Sequence, residues 1–73
     1  MIFTKRLAAE GQTRLFTIEH SSQSGWIARE HKNNAIHTSL IHDWRRVEAT
    51  MVLFQLKAIA LQNEGWSEVS PNV

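Results

Sequence analysis

From Arg14 onward, polar and apolar positions alternate. In "RLFTIEH", Phe16 and Ile18 fall on one side and Thr17 and Glu19 on the other, the period of a half-buried strand. "WIAREHK" repeats the pattern, with Trp26 and Ala28 set against Ile27 and Arg29. "AIHTSLIH" follows as a run rich in strand-forming side chains. The clusters "SSQSG" and "KNNA" separate these segments with turn residues. The pattern predicts a three-stranded antiparallel meander over residues 14–42. Residues 1–13 carry a weaker signal: "IFTKRL" fits an arm or a short strand, closed by Gly11.

The turn positions set an expected register. A first turn centred near Gln23 places Ile18 opposite Ala28 and His20 opposite Trp26. A second, between Asn33 and Asn34, places Glu30 opposite His37 and Trp26 opposite Ile41. One face then gathers Phe16, Ile18, Trp26, Ala28 and Ile41. The other carries Leu15, Thr17, Glu19, Ile27, Arg29, His31, Thr38 and Leu40. A slip of one residue would exchange the faces.

At Asp43 the period changes. No proline or glycine interrupts residues 44–64, so the spacing predicts a helix over 43–65, about 30 Å long at its usual rise. Asp43 suits the N-cap, where its carboxylate can accept a bond from a first-turn amide. Gly65 suits the left-handed residue that ends a helix, with Trp66 folding back onto Leu61. Residues 66–73 are expected as a tail.

Residues about 100° apart around the axis fall into two apolar stripes. Trp44, Val47, Met51, Phe54, Ala58 and Leu61 form one, and this should pack on the sheet. Ala49, Val52, Leu53, Leu56, Ile59 and Ala60 form the other. Glu48, Gln55 and Gln62 separate them on one side, and Arg46, Thr50, Lys57 and Glu64 on the other. The fold class expected is α+β: one domain, a three-stranded antiparallel meander packed against one long C-terminal helix.

The second stripe needs its own cover, because single chains seldom leave a large apolar patch in water. The N-terminal segment could fold over it with Ile2, Phe3 and Leu7. A different protein could cover it. A second copy could offer the same stripe in a two-fold homodimer, and Ala49 and Ala60 would let two helices approach closely. Three sizeable groups cannot match six positions, so the homodimer is the expected arrangement.

Composition strengthens that expectation. A chain of 73 residues buries only about 60% of its unfolded surface and is marginal without help. With no cysteine, disulfides and thiolate metal sites are excluded, so oligomerisation gains weight. "MIFTKRLAAEGQ" has no apolar core of signal-peptide length. "MVLF", the longest apolar run beyond it, is far below the ~20 residues that cross a bilayer. A cytoplasmic protein with no membrane contact is therefore expected. The formal charge of +1 is too even for a strong nucleic-acid binder.

Candidate chemistry is sparse. His20, His31, His37 and His42 show no ligand spacing, and Glu30 is the expected partner of His37 across the strands. The serines lack a nucleophile elbow. Gly11, Gly25 and Gly65 form no phosphate loop. No catalytic, metal or cofactor site is expected, and the chain is not expected to be an enzyme. Arg45 and Arg46 stand out, since cations in a first helical turn oppose the helix dipole. Glu48, three residues after Arg45, is the expected local partner. Together with Arg29 and Lys32, these arginines define the alternative function: a weak nucleic-acid- or phosphate-binding module near the helix start. The favoured function is a small, non-enzymatic protein-interaction or assembly domain.

"SGWIARE" and "NEGWSEV", within an order of strands followed by one helix, resemble the WGR domain over roughly residues 14–69. That family contacts DNA beside poly-ADP-ribose polymerase and repair domains. The resemblance implies the order of elements alone. The Trp-Gly-Arg tripeptide would fall near Lys32, Asn33 and Asn34 and is absent, as is the glycine-rich connection after it, so no binding residue carries over. "DWRRVEA" also resembles the helix start of small bacterial proteins to which no activity is attached.

Overall fold

In the computed structural model, which describes residues 1–69, the chain forms five strands and one helix. The order is β1 (Phe3–Ala9), β2 (Gln12–His20), β3 (Trp26–Lys32), β4 (Ala35–Ile41), α1 (Trp44–Asn63) and β5 (Ser67–Val69). The strands form one antiparallel sheet in the spatial order β4-β3-β2-β1-β5. The α+β class is as expected. The three-stranded meander forms its β2-β3-β4 part and is corrected to five strands by additions at both ends of the chain.

The added strands have clear physical origins. In β1, Phe3 and Leu7 share the helix-facing side, but Lys5 lies between them and breaks the apolar alternation. Its ammonium reaches Glu68 of β5 at 3.4 Å. A two-residue turn, Glu10 (φ 49°) and Gly11 (φ 80°), returns the chain into β2. β1 then pairs along its whole length, from Phe3↔Ile18 to Ala9↔Gln12. This overturns the arm as a cover for the second stripe, because Phe3 and Leu7 are committed to the core beneath the sheet's own helix. Of the expected tail, Ser67–Val69 pairs with β1, and residues 70–73 lie outside the described residues.

The expected register holds. Ile18 faces Ala28, His20 faces Trp26, Trp26 faces Ile41 and Glu30 faces His37. Gly25 makes the β2–β3 loop compatible with it. At φ 80° its backbone passes so close to the Ile41 carbonyl oxygen that a Cβ would collide with it.

The helix begins and stops as its sequence dictates. Asp43 accepts a hydrogen bond from the Arg45 amide at 3.0 Å. At the other end the Trp66 amide donates to Leu61 O at 3.0 Å and the Gly65 amide to Gln62 O at 3.0 Å, a Schellman stop. Leu7, Phe16, Ile18, Ala28, Ile41, Val47, Phe54, Ala58 and Leu61 make the core, with Phe3, Trp26, Met51 and Trp66 packed around it. Phe54 lies at its centre, with ring centroids 5.1 Å from Phe16 and 6.0 Å from Phe3. The first stripe of α1 supplies the helical half of this core, and Trp44 at its start leans on Trp26 at 5.4 Å while remaining 47% exposed.

Candidate functional site

A five-stranded sheet is about 20 Å across, and one helix covers about half of that. Three surfaces follow from this mismatch: the outer face of α1, a groove between α1 and β4, and the open edge of β4.

The outer face is the second stripe. Val52, Leu53, Leu56 and Ile59 are 56%, 48%, 58% and 51% exposed, and Ala49 and Ala60 are exposed beside them. Positions 49 to 60 span about 17 Å of helix. Since β1 lies within the sheet, nothing in the described chain covers them. Burying a Val, Leu or Ile side chain fully is worth about 1.5–3 kcal/mol, so four half-exposed ones leave several kcal/mol of unused apolar contact.

The groove has a volume of about 450 Å³ and runs between the helical residues Arg46, Ala49, Leu53 and Lys57 and the strand residues His37 and Ser39. Its floor holds an ion-pair cluster that ties three elements together. Glu30 of β3 accepts from Arg14 of β2 at 2.6 Å and from Lys57 of α1 at 2.8 Å. Burial raises the Glu30 pKa, but hydrogen bonds from Lys57 and Arg14, with their positive charges, outweigh it and hold the carboxyl below its ordinary value. The expected Glu30–His37 pairing is thus corrected. The two residues are opposite in register, but the carboxylate is taken by Arg14 and Lys57, and His37 is left exposed on the groove wall. Arg14 also lies 5.6 Å from the Phe16 ring centroid, so its guanidinium caps the core as well as the carboxylate.

The open edge is uncharged. β4 carries no Lys, Arg, Asp, Glu or Pro, and its Ile36 and Leu40 are 61% and 58% exposed on the face opposite the helix. The far edge strand, β5, is only three residues long.

The four basic residues of the alternative function occupy separate places. Arg29 lies on the helix-free face of the sheet, where it is hydrogen-bonded to Glu19. Lys32 sits at the end of β3, about 20 Å along the strand from the end nearest the helix start. Arg46 lines the groove, and Arg45 is exposed at the first turn of α1. Only Arg45 and Arg46 are neighbours. The expected Arg45–Glu48 pairing is absent: among the described residues the ion pairs are Lys5–Glu68, Arg14–Glu30, Arg29–Glu19 and Lys57–Glu30.

Sequence patterning missed the Arg14–Glu30–Lys57 cluster. The register itself contained the signal, because Arg14 and Glu30 fall on the same face as Phe16 and Ala28. A charged pair on the core face must find partners, and Lys57 on the adjoining helical seam supplies one. Among the described residues no group of three or more His, Cys, Asp or Glu could hold a metal ion, and no helix is long and apolar enough to cross a membrane. Comparison with family models, curated proteins and solved structures returns no match for the chain.

Proposed function

We propose that the chain is a small, non-enzymatic assembly domain that acts as a homodimer, with the outer face of α1 as its interface, in a reducing compartment such as the cytoplasm. One observation carries this reading. Ala49, Val52, Leu53, Leu56, Ile59 and Ala60 form a continuous apolar stripe on the helix, opposite the core, and the N-terminal segment, the other cover within the chain, is a strand of the sheet.

A second copy is the occupant best matched to this stripe. The stripe is apolar along its middle and has two alanines where helices must come close. The chain's formal charge of +1 sets little repulsion between copies. A module this thin gains stability from joining two cores back to back. The alternative, a nucleic-acid- or phosphate-binding module, would need Arg29, Lys32, Arg45 and Arg46 on one surface, and they are dispersed.

The test is Leu56→Glu, a change at an exposed position that leaves the sheet–helix core untouched. Light scattering on the unaltered chain at tens of micromolar should give a dimer, and the variant should give a monomer at the same concentration. A variant that still scatters as a dimer would remove this face from the interface.

A further inference from the structure

Four of the six residues of the outer stripe are symmetrically spaced, and Val52 and Ile59 lie outside that spacing. Ala49, Leu53, Leu56 and Ala60 are spaced four, three and four residues apart, so the pattern is the same in either direction. Its centre lies midway between Phe54 and Gln55. Extending it by one more step of four at each end reaches Arg45 and Glu64, residues of opposite charge. Both stand about 14 Å from the centre along the axis.

Those end charges are placed badly for a helix on its own. A first turn favours acidic groups and a last turn basic ones. Here the first turn holds no acidic residue and the last turn no basic one. Arg45 and Arg46 sit at the positive end and Glu64 caps the negative end. None of the three forms an ion pair among the described residues.

We propose that two copies pair through α1 in an antiparallel arrangement centred between Phe54 and Gln55, with Arg45 and Arg46 of each copy beside the partner's Glu64. The inference rests on the homodimer reading above and adds its orientation and centre. In this arrangement Ala49 lies level with the partner's Ala60, and Leu53 with the partner's Leu56. Small residues then meet small ones near the ends, and the axes can approach to about 8 Å. Leucines interlock on either side of the centre, with Val52 and Ile59 lining one flank. The arginines lie against the partner's helix C-terminus, and Glu64 lies against the partner's N-terminus. All three misplaced charges are thereby matched with an opposite charge and with the favourable end of a dipole. The parallel alternative sets Arg45 and Arg46 against their own copies, and Glu64 against Glu64. Charge complementarity therefore selects the antiparallel pair. The resulting dimer is a four-layer stack, sheet–helix–helix–sheet.

The absence of cysteine makes the geometry directly testable. Ala49→Cys and Ala60→Cys are each made alone, at exposed positions where the fold tolerates them. Under mild oxidation an equimolar mixture of the two should form disulfide-linked dimers, because level alanines across close helices are within disulfide reach. Each variant oxidised alone should remain mostly unlinked. Self-linking of the Ala49→Cys chain, or an unlinked mixture in a species that still sediments as a dimer, would overturn the orientation and leave the homodimer standing. A monomeric mass for the unaltered chain would overturn both.

A second measurement reads the ends. A chain with Glu64→Lys and a chain with Arg45→Glu and Arg46→Glu should each dimerise several-fold more weakly than the unaltered protein. When mixed they should recover dimer, since each supplies the charge the other lacks. Two weakened chains that fail to restore each other would place those ends apart and reject the arrangement.

Discussion

Gly25 and Glu30 show how single residues hold the fold. Gly25 combines a positive φ of 80° with a backbone approach that leaves no room for a methyl group. Gly25→Ala should therefore lower the unfolding free energy by about 2 kcal/mol or more, measured as a shift of the urea midpoint. An unchanged midpoint would show that the β2–β3 loop relaxes freely. Glu30 gives a pH signature. Its folded carboxyl releases its proton more readily than the unfolded one, whose ordinary value is 4.5. Its stabilisation is thus complete above the unfolded value and is lost as the pH falls through the lower folded one. Acid titration of stability should show this loss below about pH 4.5, and Glu30→Gln should flatten that part of the curve. An identical curve for the variant would assign the acid sensitivity elsewhere. The core side of Glu30 could be inferred from register alone, since it pairs opposite Phe16 in β2. Its partners could not, because Arg14 and Lys57 are brought to it by tertiary packing across 16 and 27 residues.

Elements were legible where local chemistry and burial agree. The helix ends follow from Asp43, Gly65 and Trp66, whose roles are set by neighbours within a few residues. Asp43→Ala should cost about 1 kcal/mol of stability by removing the cap on the Arg45 amide. Strands β2 and β3 follow from alternation, and β4 from its β-branched run. β1 was obscured by Lys5 in an inward position, made tolerable by Glu68 in a strand at the far end of the chain. β5 has three exposed residues and no apolar alternation, so only its pairing with β1 defines it. The edge of β4 yields its own expectation. Natural edge strands usually carry charges, prolines or bulges that discourage further pairing, and β4 has neither charge nor proline. Thr38→Glu at its midpoint, directly opposite Arg29, should raise the concentration at which the protein begins to aggregate, measured by turbidity, without lowering its stability. An unaltered aggregation threshold would show that the edge takes no part.

In the molecule as a whole, one helix carries two apolar stripes. Its inner stripe completes a core with Phe16, Ile18 and Leu7, all fully buried. Its outer stripe, centred on Leu53 and Leu56, has no counterpart within the described chain. Both stripes follow from helical periodicity, and the choice of inner stripe follows from the sheet register. The identity of the outer partner is not a local property of sequence. It rests on symmetry and charge: a spacing of Ala49, Leu53, Leu56 and Ala60 that is the same in both directions, and ends that are opposite in sign. Sedimentation equilibrium of the unaltered 73-residue chain at tens of micromolar decides whether that argument describes the protein. A single species of twice the 8.4 kDa chain mass is expected. A species of 8.4 kDa across the whole concentration range would contradict it.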